Sequence, residues 1–168
     1  SGARDVWMPC VGIKDSFVII TADNNDQFQH TKDCYIWRST DYGVTWDTGR
    51  VFFPGPDDWM AGPHFRFGSN GYMFFLWNRA APGTEDRYWT YYCESFNYGE
   101  TWTEPQLIWQ NDPPYPITMN DVKSWWYTYD CEVVRDTPVA AVKFSTANLE
   151  YGEIWVYRPD SGTAGNWH

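Results

Sequence analysis

The chain has 168 residues, enough for one domain, and contains no apolar run long enough to span a membrane as a helix. Its 12 basic and 22 acidic residues give a formal net charge of -10, which disfavours nucleic acid and anionic lipid as partners. Aromatic residues make up 20% of the chain, a composition that favours strands and the cores between packed sheets.

Short strands separated by turns follow one another along the whole chain, and no segment has a helical period. The first unit has strands on either side of the polar turn at 15–16, then strands at 34–38 and 49–53. The layout recurs with strands around 65–74, 89–93 and 106–109, and it begins again at 131–140 and 153–157. Four antiparallel strands in about 55 to 60 residues make one blade of a β-propeller. We therefore predict an all-β propeller.

One turn sequence occurs twice and supports the repeat. Residues 39–46 read Ser-Thr-Asp-Tyr-Gly-Val-Thr-Trp, and residues 95–102 read Ser-Phe-Asn-Tyr-Gly-Glu-Thr-Trp. Each copy lies between two predicted strands, and a stretched third copy begins at residue 157. The pattern S-x-D-x-G-x-T-W resembles the Asp-box, or BNR repeat, of sialidases and other propeller proteins. The resemblance implies a hairpin turn between strands of one blade.

The residues of this motif predict a structural role. Glycine supplies a positive φ, Asp or Asn accepts backbone N–H groups across the loop, and the tryptophan is expected to pack between blade layers. Because Asn replaces Asp in the second copy, we expect neither a metal nor a charge-dependent role there. The positions are Ser39, Asp41, Gly43, Thr45 and Trp46 in the first copy and Ser95, Asn97, Gly99, Thr101 and Trp102 in the second.

We divide the chain into a single propeller segment of three approximate blades, residues 1–56, 57–116 and 117–168, the last lacking its outer strand. Three blades do not close a ring, since propellers have about four to eight. Two interpretations remain open at this point. The chain is either a piece of a longer propeller or one half of a six-blade ring formed by self-association.

The second predicted blade resembles the sialidases further. Arg66 stands in a Phe-Arg-Phe segment, and Arg79 and then Asp86 follow it, as an F-R-I-P segment precedes a later Arg and a loop Asp in those enzymes. The resemblance implies that Arg66 and Arg79 bind a substrate carboxylate and that Asp86 is the catalytic acid/base. Phe-Gly stands where the family has Ile-Pro, and the family's Tyr/Glu nucleophile pair has no assigned counterpart here. The alternative is that both arginines are ordinary strand and loop charges.

Metal and cofactor sites are not expected. Cys10, Cys34, Cys93 and Cys131 form no C-x-x-C pair, and with three histidines they do not suggest zinc. The even count fits either disulfides, with three alternative pairings, or buried thiols. The run at residues 23–26, rich in Asp and Asn, resembles the start of a calcium loop but lacks its Gly and closing Glu, so we expect a solvated loop.

Two functions follow from these observations. The first is a secreted or cell-surface propeller that binds or hydrolyses glycans, as the resemblance to sialidase-type glycoside hydrolases implies. Aromatic residues at 88–89 and 125–127 offer surfaces for stacking on sugar rings. The second is a non-catalytic propeller used for protein interaction or in a surface assembly. The resemblance implies an extracellular location for both.

Overall fold

The computed structural model describes residues 6–24, 34–47, 49–52, 60–80, 88–108, 129–145 and 152–159. Within these residues the chain forms eleven strands in three antiparallel sheets, and it forms no helix. The first sheet contains β1 (Val6–Lys14), β2 (Phe17–Asn24), β3 (Cys34–Ser39) and β4 (Arg50–Phe52). The second contains β5 (Met60–Phe67), β6 (Met73–Ala80), β7 (Tyr88–Ser95) and β8 (Gln106–Leu107). The third contains β9 (Tyr129–Val134), β10 (Thr137–Ser145) and β11 (Gly152–Tyr157).

Each sheet is a meander in which strands adjacent in sequence are also paired in space. The three sheets lie within residues 6–52, 60–107 and 129–157, while the predicted blade boundaries at 56/57 and 116/117 are outside the described residues. The predicted strand at 106–109 is shorter in the structure, where β8 ends at Leu107. The third copy of the turn, beyond residue 159, is also outside the described part.

Two ends of the sheets are distinguished by their connections. At one, the turn end, two to five residues join β1 to β2, β5 to β6 and β9 to β10, and the turns 39–46 and 95–102 lie there too. At the other, the loop end, six to nine residues join β2 to β3, β6 to β7 and β10 to β11. At the turn end the carboxylate of Asp136 in the third sheet accepts from the backbone N–H and the hydroxyl of Ser69 in the second. Phe17 of the first sheet stacks on Tyr98 of the 95–102 turn in the second. The three turn ends therefore lie on the same side.

The first strands of the sheets lie beside one another. β1 contacts β5, and β5 contacts β9. The pairing of β1 with β2 shifts register between Trp7 and Cys10, and that of β5 with β6 shifts between Ala61 and His64. Pro9 and Pro63 lie at these irregularities, since proline has no N–H for a ladder and is tolerated on edge strands and at bulges. Because the same register shift occurs in β1 and β5, these two strands correspond to each other in the first two sheets.

Two apolar clusters fill the spaces between the sheets, and β6 contributes to both. Phe75 and Trp77 pack towards the first sheet, whereas Phe74 and Leu76 pack towards the third. Residues 71–78 are consequently all buried. Complete burial of one such side chain stabilises the fold by about 1.5–3 kcal/mol. The middle sheet is thus enclosed by packed sheets on both faces, as its almost continuous apolar sequence requires.

Candidate functional site

Hydrogen bonds within the 39–46 turn connect its side chains to its own backbone. Ser39 Oγ accepts from the N–H of Gly43 at 2.9 Å, and Asp41 Oδ1 accepts from the N–H of Thr45 at 2.8 Å. The hydroxyl of Thr45 donates to Asp41 Oδ2 at 2.5 Å. These bonds lower the pKa of Asp41 to about 2. Gly43, with a φ of 83°, adopts the left-handed conformation that glycine tolerates best.

The 95–102 turn has the same backbone bonds with a different side chain. Gly99 N–H donates to Ser95 Oγ at 2.9 Å, and Thr101 N–H donates to Asn97 Oδ1 at 2.9 Å. Here the amide of Asn97 donates to the hydroxyl of Thr101 at 2.8 Å, the reverse of the direction in the first turn. The turn therefore needs an acceptor oxygen rather than a negative charge, and its groups bind one another rather than a substrate.

The two tryptophans of these turns differ in burial. Each indole N–H donates to the carbonyl of the turn glycine, at 3.0 Å for Trp46 and 3.2 Å for Trp102. Trp102 packs against the core between the first and second sheets and lies 5.6 Å from the ring of Phe75. Trp46 is 41% exposed, contrary to the expectation that both pack between layers. Among the described residues, no other sheet packs against the face of the first sheet that carries Trp46.

Arg66 is paired with carboxylates of its own chain. Its Nη2 lies 3.2 Å from Asp130 Oδ1 and its Nε lies 3.6 Å from Glu132 Oε2, so β5 is connected to β9. Its Nη1 donates to the carbonyl of Phe65, and His64 Nδ1 is 3.4 Å from Asp130 Oδ1. Because both carboxylates are well exposed, solvent screens these ion pairs and each contributes little stability.

The structure does not bring Arg66 and Arg79 together. Arg66 pairs with Phe74 near the turn end, whereas Arg79 lies five residues further along β6, at the loop end. Five residues of strand span about 17 Å. Asp86, in the connection from β6 to β7, is outside the described residues, and that connection starts at the loop end. Arg79 thus lies at the end of the second sheet opposite to Arg66.

A buried polar cluster lies at the loop end, where sequence reasoning did not place one. It combines Asp23 of β2, Asn78 of β6 and Tyr129 of β9, one residue from each sheet. Burial raises the pKa of Tyr129, as does the negative charge of Asp23, while the backbone N–H of Asn78 acts in the opposite direction. The hydroxyl of Thr90 donates to Asn78 Oδ1 at 2.7 Å.

The position of Asp23 corrects an expectation. We expected residues 23–26 to form a solvated loop, but Asp23 and Asn24 belong to β2, and Asp23 is 3% exposed. The alternation in β2 indicated that Asp23 is buried, because Ile19, Thr21 and Asp23 lie on the same face of the strand. Composition alone suggested a loop because Asp and Asn are usually exposed.

A second buried polar pair lies at the turn end. The hydroxyl of Tyr72 donates to Glu94 Oε1 at 2.7 Å, and both residues are buried. Burial, followed by the hydrogen bond to Glu94, raises the pKa of Tyr72 well above its usual value. Since Tyr72 belongs to the core between the second and third sheets, this Tyr/Glu pair stabilises packing.

An open groove of about 430 Å³ lies between β1 and β5 and approaches the turn end. Residues 11–14 of β1 form one wall and residues 65–67 of β5 form the other. Val11 and Ile13 are mostly exposed beside it. Its surface is more polar than apolar, with Lys14 and Arg66 as its cationic side chains.

The described residues include no group of three or more His, Cys, Asp or Glu side chains arranged to hold a metal ion. All four cysteines are free thiols, and Cys34, Cys93 and Cys131 are buried. Burial raises the pKa of Cys93 and Cys131. In the part of the chain that is described, no helix could cross a membrane.

No family profile and no curated protein matches the sequence. Solved structures do match it over almost its whole length. Trypanosoma rangeli sialidase in complex with the inhibitor DANA aligns with a TM-score of 0.68 and 12% identity, over 98% of this chain and 30% of that one. A glycosyl hydrolase from Bacteroides ovatus gives 0.61 and 14% over 98% and 48%, and Penicillium chrysogenum α-L-arabinanase with arabinobiose gives 0.60 and 14% over 99% and 45%. The fold is sialidase-like.

The described residues form three sheets of this sialidase-like fold. The chain spans about a third to a half of the length of these structural neighbours. At 12–14% identity the comparison establishes the architecture alone. The neighbours are propeller glycosidases, and the three meander sheets correspond to propeller blades with four, four and three described strands.

Proposed function

We propose that this chain is part of a carbohydrate-active propeller that binds or hydrolyses glycans at its loop end. The supporting observation is the match of nearly the entire chain to glycosidases with different substrates, a sialidase and an α-L-arabinanase. The property common to these neighbours is action on carbohydrate rather than one particular sugar. Because one fold supports many activities, the residues at the site decide the chemistry.

The connections between strands favour the loop end over the turn end as the location of the glycan site. Six to nine residues join the strands at the loop end. At the turn end, two to five residues join the first and second strands of each sheet, and the two ten-residue connections, from β3 to β4 and from β7 to β8, begin with the hydrogen-bonded turns. Connections supported by a rigid scaffold are the usual carriers of binding residues when their side chains are not used within the turn itself. The turn end is instead filled by side chains that hydrogen-bond to their own turns, as Asp41 and Asn97 do.

The residues proposed for this site are Arg79 for binding and Asp86 for acid/base catalysis. Arg79 is the penultimate residue of β6, the strand that precedes the connection containing Asp86. The buried polar cluster of Asp23, Asn78 and Tyr129 lies between the sheets at this end. A guanidinium there suits an anionic sugar, because it donates two parallel hydrogen bonds to a carboxylate.

A glycan array together with hydrolysis assays tests the proposal. Sialylated, uronic-acid and neutral glycans, including arabinan fragments, are presented to the wild-type chain in its assembled state. We expect Arg79→Ala to weaken binding at least tenfold and Asp86→Asn to abolish any hydrolysis while retaining binding. The matched control is Arg66→Ala, which removes the same side chain about 17 Å away along the sheet.

The control also tests the sequence-based assignment of Arg66. Loss of binding in Arg66→Ala but not in Arg79→Ala would move the site to the turn end. Absence of binding and hydrolysis with every glycan class would reject the carbohydrate function.

A non-catalytic interaction propeller is the second candidate. The observation that favours it is the pairing of Arg66 with Asp130 and Glu132, which gives a candidate substrate-binding arginine a structural role. An extracellular or cell-surface location belongs to both proposals. Antibody labelling of intact and permeabilised source cells tests it, and labelling only after permeabilisation would contradict it.

A further inference from the structure

Strand registers allow positions in the three sheets to be equated. In each sheet the two strands that flank the first tight turn are paired in the same register. The pair of Ile13 and Val18 in the first sheet therefore corresponds to Phe67 and Met73 in the second and to Val133 and Pro138 in the third. Two residues earlier, Val11 corresponds to Phe65 and Cys131. Burial can therefore be compared between equivalent positions that differ only in whether another sheet covers them.

The leading face is the face of the first sheet that carries Val11, Ile13 and Trp46. Val11 is 62% exposed, whereas its equivalents Phe65 and Cys131 are 2% and 5% exposed. Trp46 is likewise exposed, while its equivalent Trp102 packs in an intersheet core. On the second and third sheets these positions contact the preceding sheet.

The trailing face is the face of the third sheet that carries Val134, Ile154 and Val156. Val156 lies opposite Ala141, as Ile36 lies opposite Thr21 and Tyr92 opposite Leu76. Val156 is 60% exposed, whereas Ile36 and Tyr92 are each 2% exposed. In the first and second sheets these positions contact the sheet that follows.

The leading and trailing faces thus have complementary roles. Between the first and second sheets, and again between the second and third, a trailing-type face packs on a leading-type face. Among the described residues, one face of each type remains uncovered, and both expose large apolar side chains of the kind that mark interaction surfaces.

We propose that the trailing face of one copy of this chain binds the leading face of a second copy, and that two such contacts close a ring. The contact continues the interface already formed twice within the chain, with the same order of strands. Because it joins two different surfaces, it is heterologous and closes only if the rotation per sheet allows it. The inference is independent of the glycan function.

The comparison in length with two of the structural neighbours favours two copies. This chain, with three sheets, spans 48% and 45% of the two glycosidase neighbours from Bacteroides ovatus and Penicillium chrysogenum. The remaining length would accommodate about three more units of this size, within the range of four to eight blades in propellers. Three sheets are half of a six-bladed ring, so a second copy leaves neither face exposed.

Light scattering coupled to size-exclusion chromatography tests the proposal on the wild-type 168-residue chain over a hundredfold range of concentration. We expect a mass of twice the chain mass. Val11→Asp on the leading face and Val156→Asp on the trailing face should each shift the mass towards that of a single chain. Both side chains are exposed within one chain, so circular dichroism should show an unchanged fold.

The matched control is Val44→Asp. Val44 is 79% exposed in the 39–46 turn, and its equivalent in the 95–102 turn is the exposed Glu100, so an acid is compatible with this position. The control should remain dimeric. A monomeric wild type would overturn the proposal and indicate that further blades of a longer chain fill the two faces.

Two other results would also overturn the proposal. Open-ended assemblies that grow with concentration would show that the contact does not close. A dimer that survives either Val11→Asp or Val156→Asp would show that copies meet through another surface or through identical faces.

Discussion

The ring of Phe17 lies flat on the ring of Tyr98, with centroids 3.8 Å apart and planes inclined by 3°. Phe17 begins β2 of the first sheet, and Tyr98 belongs to the 95–102 turn of the second. The backbone N–H of Tyr98 also donates to the carbonyl of Gly71 at 2.9 Å. The repeated turn therefore has a second role, because it presents an aromatic ring to the neighbouring sheet.

This stack predicts measurable coupling between two sheets. In a double-mutant cycle, Phe17→Ala and Tyr98→Ala should have a coupling free energy of about 0.5–1.5 kcal/mol, measured by urea denaturation. Tyr42→Ala is the control, since Tyr42 is the equivalent residue of the first turn, has a similar positive φ and is 75% exposed. Additive effects of the two substitutions would contradict an energetic role for the stack.

The acid dependence of stability should arise partly from Asp41. Hydrogen bonds from Thr45, and a further one from Ser39, lower the pKa of Asp41 from 3.8 to about 2. A folded pKa below the unfolded one stabilises the fold above about pH 4, and this stabilisation is lost as the pH falls to about 2. Asp41→Asn, which reproduces the Asn of the second turn, should flatten this part of the stability curve.

Thermal unfolding of wild type and Asp41→Asn between pH 2 and pH 6 measures this difference. The reverse change, Asn97→Asp, should introduce an additional acid-dependent component. Identical slopes for wild type and Asp41→Asn below pH 4 would show that the carboxylate is not stabilised by the turn.

Gly12 allows the close approach of β1 to β5. A Cβ at this position would lie 2.5 Å from Cε2 of Phe65, whose ring is buried. Gly12→Ala should therefore lower the free energy of unfolding by about 1–3 kcal/mol through overpacking. Adding Phe65→Leu should make the combined loss smaller than the sum of the two single losses. Additive losses would show that the two strands do not approach as described.

The thiol groups should differ in reactivity according to burial. Cys10 is half-buried, whereas Cys34, Cys93 and Cys131 are buried, and burial raises the pKa of Cys93 and Cys131. Since the thiolate is the reactive form, Ellman's reagent should modify Cys10 first in the native protein. All four thiols should react after unfolding without a reductant, and Cys10→Ser should remove the fast phase. Fewer than four reactive thiols would reveal a disulfide.

Local features of the fold could be predicted because each is encoded within about ten residues. The alternation of apolar residues and the tight turn at 15–16 define β1 and β2, and the paired motifs at 39–46 and 95–102 define the hairpins of two sheets. The hydrogen bonds of Asp41 and Asn97 require only groups within the same turn. Strand order follows because short connections make consecutive strands neighbours.

The candidate site was less predictable, since its residues come from different sheets. Asp23 and Tyr129 are 106 positions apart in sequence, and their proximity at the loop end depends on how the first and third sheets meet. The sequence order of Arg66, Arg79 and Asp86 suggested one site, but the antiparallel pairing of β5 and β6 places the two arginines at opposite ends.

The sequence by itself determined the strands, the turns and the repeating order of the sheets, because strand periodicity and turn chemistry act between residues close along the chain. The tertiary structure decided which equivalent residues are covered. Trp46 and Trp102 occupy the same place in one motif, yet only Trp102 lies in a core, since a preceding sheet packs against it. Burial depends on which surfaces meet, and no local pattern contains that information.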